Sequence, residues 1–562
     1  MRLFWLMYVV VGAAVGLSAN NVSAETPEYG GDLNIGTVNV TLSPLSWDPA
    51  DWTWKSNHDA GGQREQLFAG DLDKSVRKGG IYPFISDAYL PTESIRGELA
   101  ESWVWEGDLT LVISLRRNAM FTDRPGVMKA RLLEAQDVVF SYDLVDQSPK
   151  RIPTYFDHIK KVYARDKHTV VFEFSEFNAE WMYRFGYGYY SSISPRELGN
   201  VDRKDWRNTS GTGPFILEKY VQANAHIYRR NDNYWDKETI DGQQYSIPFV
   251  NKVIYRIIKD EATYLTALRT GQLDILEAMR WIAVDHLKET TPELKWNRWL
   301  ATSGTFMALR VDQKPFDDIR VRRALNLAIN QKEIAELFYG GYAELMAYPQ
   351  HPGFGEYFEP LEEMPQEVQA LFTYNPEKAR ALLKEAGVPK GFTFDVQVCS
   401  CSPSNMDMIP LLESYLQKVG ISIKIKPMEY ASFLSAMTTK THGPGYLLNS
   451  GHVNPITTLR KSFVTGQTWN PSQYSSKHFD EQIRLVHLER DEKKRIVMLR
   501  ELTRLILAEA PYIWLPTAYN HTAWWPWVKN YGGELRVGAV RPGPIYGRIW
   551  IDEKLKAELG FD

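Results

Sequence analysis

Apolar and polar residues alternate in strand-length runs over much of this chain. Leu33 and Ile35 alternate with polar neighbours after Tyr29-Gly-Gly-Asp, which predicts a first strand. Segments 109–116, 170–174 and 253–258 read the same way. Phe215, Leu217 and Tyr220, then Ile227 and Tyr228, predict two strands joined by the polar turn that starts at Gln222. The preceding Ser210-Gly-Thr-Gly-Pro214 predicts a sharp reversal, with Gly211 and Gly213 free to take positive φ. Elsewhere the period lengthens to that of a helix. Val321, Ala324, Leu325 and Ala328 share one face behind Asp317 or Asp318 as cap, while Arg322, Arg323 and Asn326 face elsewhere. Asn375-Pro376 opens a second helix and Gly387 ends it, with Ala379, Leu382, Leu383 and Ala386 as its apolar stripe. Ala135 starts another, with Asp137 in its first turn. The run Phe394–Val398, a helix around Leu411 to Leu416, and Ile421–Ile425 predict a β-α-β unit and hence a parallel strand pair.

Size and composition narrow the picture. At 562 residues the chain exceeds what one core organises, so at least two lobes are expected. The formal charge of −4 and the lack of any long basic run exclude a nucleic-acid partner. Arg2, the apolar stretch 3–17 and Val22-Ser23-Ala24 predict a cleaved secretory signal over residues 1–24. Asn20-Asn21 interrupt that stretch, which is short for a bilayer span. The two cysteines, Cys399 and Cys401, lie far from the cleavage site, so lipid anchoring is not expected. On an extended strand their side chains stand roughly 7 Å apart, which predicts two ordinary thiols. There is no Gly-x-Ser-x-Gly, no His-Glu-x-x-His and no nucleotide fingerprint, so neither an enzyme nor a cofactor is expected. His58, His452 and His521 lack metal-ligand spacing.

Gly211-Thr-Gly-Pro-Phe, Arg230-Asn-Asp-Asn-Tyr-Trp235, the strand from Val253 and Ala267-Leu-Arg-Thr-Gly-Gln-Leu-Asp-Ile275 occur here in a specific order and spacing. With Trp47-Asp-Pro49, Pro315 to Ile329 and Tyr374 to Phe392, they resemble extracytoplasmic solute-binding proteins of family 5, the peptide-, nickel-, opine- and oligosaccharide-type components of ABC importers. The resemblance covers essentially the whole mature chain. It implies an α/β fold of the periplasmic-binding-protein type: two α/β lobes joined by two hinge crossings, with an extra subdomain in the first lobe, as in the large peptide-binding members. The boundaries expected are 25–60, 187–301 and 521–562 for the first lobe, with 61–186 as its extra subdomain. The crossings fall at 302–310 and 511–520, and the second lobe at 311–510.

The same resemblance implies a monomeric periplasmic protein that captures a small solute and delivers it to a permease and ATPase complex in the inner membrane. A secreted glycoside hydrolase and a periplasmic sensor subunit are the alternatives. Candidate ligand contacts are Trp52, Trp54 and His58 in a Trp-rich loop, Phe306 and Met307 at the first crossing, and Thr517, Tyr519 and Asn520 at the second. Tyr446, Asn449, Gly451 and His452 lie in the loop that ends at Asn454-Pro455. In peptide-binding relatives that loop carries an Asp that pairs with the peptide ammonium; aligned on Pro455, that position is Gly451 here. A buried ammonium without a counter-ion is costly. The missing carboxylate therefore points away from free peptides, and towards a neutral oligosaccharide held by Trp faces, Asn449, His452 and Asn454.

Overall fold

The computed structural model describes residues 26–38, 41, 45–152 and 154–561. The expected signal segment, 1–24, lies outside the described residues.

Two mixed sheets divide the chain. Among the described residues the first runs Phe215–Val221, Ala225–Arg230, Lys252–Ile257, Asp32–Thr37, Ile275–Arg280, Thr517–Trp524, Lys295–Leu300. Asp32–Thr37 pairs in parallel with both of its neighbours, so the first strand sits at the centre of this lobe. The second sheet runs Ile421–Met428, Phe392–Cys399, Gly445–Gly451, Ser303–Leu309, Tyr512–Trp514. Its first two strands are the parallel pair expected, connected through the helix Pro403–Gln417. A separate four-stranded sheet, Ala100–Trp105, Thr110–Leu115, Thr169–Phe174 and Ile159–Asp166, carries the helix Ala135–Asp146 and packs into the core of the first lobe.

The chain passes between the lobes at two places. Leu300 ends a strand of the first sheet and Ser303 begins one of the second. Trp514 ends the second sheet and Thr517 re-enters the first. The crossings are therefore Ala301-Thr302 and Leu515-Pro516, much shorter than the segments expected, because the apolar run after Thr302 belongs to the second lobe's own sheet.

That sheet is covered on both faces. Phe306 and Ala308 point into one core with Tyr446, Leu448 and Tyr512, while Met307 and Leu309 point into the other with Leu447 and Ile513. Phe306 stacks on Tyr512 at 4.1 Å and Tyr446 on Phe433 at 4.2 Å. This corrects the placement of Phe306, Met307 and Tyr446 at the ligand: a strand buried on both faces has no side free for a cleft.

Three other expectations change. Neither Gly211 nor Gly213 takes a positive φ. Glycine is needed there for proximity, since an added Cβ would sit 2.1 Å and 2.7 Å respectively from the Gln63 carbonyl oxygen. Asn326 is wholly buried: its amide donates to the Tyr512 carbonyl at 2.9 Å and accepts from Trp514 N at 2.9 Å, clipping the helix Ile319–Ala328 to the strand before the second crossing. Cys399 and Cys401 are joined in a disulfide, because the chain turns after Cys399 and brings the two Cα atoms to 5.1 Å.

Candidate functional site

Charged side chains gather where the lobes face each other. On the first lobe, Glu277 rises from the strand Ile275–Arg280 and pairs with Arg536 at 3.3 Å, while the Tyr546 hydroxyl donates to Glu277 at 2.6 Å. Both members of the ion pair keep some exposure, 12% for Arg536 and 14% for Glu277. Asp87, in the loop 86–89, lies within the field of this pair and is hydrogen-bonded by the Thr302 hydroxyl of the first crossing. Burial raises the Asp87 pKa, and the nearby Arg536 and Lys461 oppose that rise.

The second lobe answers with the helix Pro455–Phe463. Asn454 caps it, its side chain accepting from Thr457 N at 2.7 Å, which explains the residue without a ligand. Of its nine residues, Lys461 alone is not fully buried. The Lys461 ammonium donates to the Ser450 hydroxyl at 3.0 Å and to the Gly451 carbonyl at 2.6 Å. Burial and the neighbouring Arg460 push its pKa down to about 7, with Asp87 opposing. The Trp469 ring lies 6.0 Å away and is 36% exposed. A Cβ at Gly451 would meet one atom within 4 Å, an Asp87 carboxylate oxygen at 3.9 Å. Acid and base thus face each other across the seam, while Lys461 takes its hydrogen bonds from its own lobe.

Deeper contacts tie the lobes together. Glu180, from the first lobe, accepts hydrogen bonds from Thr457 and, at 2.9 Å, from His487, both in the second lobe. It also pairs with Arg184 at 2.5 Å, and the Ala179 N–H donates to the His487 carbonyl at 2.8 Å. Burial disfavours the Glu180 carboxylate, yet the Arg184 charge and the His487 hydrogen bond outweigh it and hold its pKa well below the usual range. Arg490 lies over the Phe177 ring at 4.1 Å, and Tyr89 packs edge-on to Phe354 at 4.8 Å.

The Trp-rich loop splits. Trp52, 9% exposed, packs on Tyr155 and Tyr190 and donates its indole N–H to the Val145 carbonyl at 2.9 Å. It is core. Trp54 is half-buried and its indole hydrogen-bonds Tyr430 of the second lobe, so it does lie between the lobes. His58 is buried against Asp59 at 3.0 Å, beside the Lys55–Asp59 pair at 2.8 Å. Burial, with help from Lys55, lowers its pKa, so the ring is neutral and already engaged. His452 is buried and packs on His351 and Tyr348 near the first crossing. Tyr519 donates to Glu344 at 2.6 Å on the return strand, and Thr517 is fully buried there. Asn449 is exposed and Gly451 sits at the seam. From the candidate set the structure therefore brings Trp54 and Gly451 to the region between the lobes. Asp87, Glu277, Lys461, Arg536 and Glu180 were not singled out by the sequence. The available signal was the basic pair Arg460-Lys461 inside an otherwise uncharged helix behind a strong cap. Among the described residues no cluster of His, Cys, Asp and Glu could hold a metal ion.

Comparison with known proteins places this geometry in context. The family model for bacterial extracellular solute-binding proteins, family 5 (middle) matches residues 94–468. The dipeptide-binding protein of Escherichia coli K12 is 24% identical over 481 residues, 80% of this chain and 86% of that one. A periplasmic binding protein of Helicobacter pylori, solved with the peptide STSA, superposes with a TM-score of 0.76 at 23% identity, covering 93% of this chain and 99% of that one. An Agrobacterium tumefaciens binding protein in complex with agropinic acid superposes with a TM-score of 0.74 at 18% identity, covering 93% and 99%.

Proposed function

The chain belongs to the bacterial extracellular solute-binding proteins of family 5, and on that premise we propose that it is the solute-capturing component of an ABC importer. Residues 1–24 act as a cleaved export signal and the mature monomer works in the periplasm without a lipid anchor; no described helix is long and apolar enough to cross a membrane. It binds and does not transform its ligand. Closure about the two short crossings buries the solute and creates the surface that the permease and its ATPase read. The observation that carries this reading is the seam itself: two lobes meeting at two-residue crossings, with an acid on one face and a base on the other.

The seam also bears on the ligand. Trp52 is committed to the core, which removes one of the two stacking faces that favoured an oligosaccharide. Asp87, Lys461, Glu277 and Arg536 instead suit a small charged solute, peptide-like in size.

A thermal-shift screen of the purified periplasmic protein against short peptides, amino-acid derivatives and neutral oligosaccharides tests the reading. A ligand bound only by the folded form at a hundred times its dissociation constant adds about 2.7 kcal/mol. Stabilisation by an intact solute supports capture, and turnover of that solute on prolonged incubation would sink it.

A further inference from the structure

We infer that Lys461 is the ligand anchor of the second lobe and that the solute presents a carboxylate to it. The inference rests on the solute-binding reading above and deepens it.

The argument starts from what Lys461 does with its hydrogens. An ammonium has three donors. Two are spent on Ser450 and the Gly451 carbonyl, at 3.0 Å and 2.6 Å, and among the described residues the third has no partner. These two bonds fix the amine beside the one position in the loop that lacks a side chain. The protein thus fills the neighbourhood of the Gly451 carbonyl with a cation of its own, and a second cation from a ligand would be repelled there.

The surrounding charge points the same way. Asp87 faces Lys461 across the seam, but among the described residues no ion pair joins Lys461 to a carboxylate, and Arg460 beside it adds a second positive charge. His487 and His452 have pKa values lowered by burial and are neutral at pH 7. Each carboxylate is already engaged: Glu277 by Arg536 and Tyr546, Glu180 by Arg184, Thr457 and His487, and Asp87 by Thr302. The amine is left without a counter-ion in a poorly solvated place, and an anion is the group that restores its charge. A carboxylate fits the remaining donor, and the exposed face of Trp469, 6.0 Å from the amine, gives the rest of the solute a surface to lie on.

The geometry and the titration make separate predictions. Removing the amine deletes a charge-assisted hydrogen bond of about 1.5–3 kcal/mol, a loss of roughly 10- to 150-fold in affinity. The free amine has a pKa of about 7. A bound carboxylate restores its charge against the opposing influence of Arg460, with Asp87, His452 and Arg536 the other titratable or charged groups in its surroundings. Binding at pH 8 should therefore take up a proton.

The test is a thermal-shift screen of wild type, Lys461→Met and Lys461→Arg. The library holds matched sets: trialanine, its N-acetyl form, its C-terminal amide, agropinic acid, and maltotriose as the neutral member, extended to amino-acid conjugates and other oligosaccharides. Hits are followed by calorimetry at pH 8 in two buffers of different ionisation enthalpy. The expected result is that stabilising solutes carry a carboxylate, Lys461→Met loses affinity roughly 10- to 150-fold with its ligand-free melting temperature retained, and Lys461→Arg recovers part of the affinity without the proton uptake. A hit whose amide binds as tightly as its acid, or whose affinity survives Lys461→Met, overturns the inference and leaves solute capture standing. A protein stabilised by no member of any class overturns both.

Discussion

Glu180 sets how firmly the two lobes hold together, and Glu180→Gln measures it. The carboxylate, 2% exposed, is the shared acceptor for Thr457 and His487 across the lobe boundary and the ion-pair partner of Arg184 within its own lobe. Glutamine keeps the shape but removes the charge, so the hydrogen bonds across the boundary fall from charge-assisted to neutral strength. Breaking a buried pair outright costs about 3–5 kcal/mol. Part of that cost is local, because Arg184 loses its partner whether the lobes are open or closed. The share that depends on closure is the difference at the two crossing bonds, about 1.5–3 kcal/mol in all. Converted to a population, this lowers the closed-to-open ratio by roughly 10- to 150-fold, and apparent ligand affinity falls with the fraction able to close. Small-angle scattering with and without saturating ligand reads the compaction, and calorimetry reads the affinity. A variant that melts earlier yet closes and binds like wild type would show that Glu180 only supports the first lobe, and the reasoning would fail.

Acid should weaken the fold itself. Burial lowers the pKa of His226 and His351 to about 4 and of His158 to about 3. Each stays neutral when folded and takes its proton on unfolding, so its contribution is complete above about pH 6.5 and is lost as pH falls towards 4. The loss is on the order of 3 kcal/mol per ring, and a denaturation midpoint that does not move between pH 7 and pH 5 would refute it. Reduction of the Cys399–Cys401 disulfide should cost less than about 2 kcal/mol, because so short a loop adds little chain entropy. A melting temperature lowered by more than a few degrees with reductant, and equally in a Cys399→Ser/Cys401→Ser variant, would contradict this. Gly451→Asp places a carboxylate beside Asp87, with its Cβ 3.9 Å from the nearer oxygen, and within reach of Lys461. It should abolish binding of carboxylate solutes while leaving the melting temperature near wild type; tighter binding of those solutes would count against the anchor role of Lys461.

Periodicity was a good guide where a segment answers to its own lobe. The hairpin Phe215–Arg230, the helix behind Asp318 and the β-α-β unit from Phe392 were all legible, because local turn chemistry and one-sided burial agree there. It misled where burial is two-sided. Phe306 and Met307 look like residues at a crossing and Tyr446 like one in a binding loop, but all three lie on strands covered on both faces and are buried in the second lobe's cores. Trp52 shows the same limit: an indole beside polar neighbours reads as a platform, yet its N–H finds a backbone carbonyl in the core. Strand spacing hides the disulfide because the chain leaves its strand at Cys399 and turns, bringing Cys401 within bonding reach.

The seam was the least legible part, for a physical reason. Asp87, Glu277, Lys461 and Arg536 are scattered over 450 residues of sequence and acquire meaning only when the crossings at Ala301-Thr302 and Leu515-Pro516 bring them face to face. In its own segment considered alone, each is an ordinary surface charge. Brought between lobes they are poorly solvated, and their value depends on what completes them. The Glu180 carboxylate already has its partners on both sides of the boundary and favours closure with any ligand. The amine at Lys461 is incomplete, and closing over it without an anion leaves it with no counter-ion to hold its proton. Specificity can then reside in the incomplete group and firmness in the complete one. The two should separate experimentally: Lys461 variants should change which solute closes the lobes, while Glu180 variants should change how tightly every solute does.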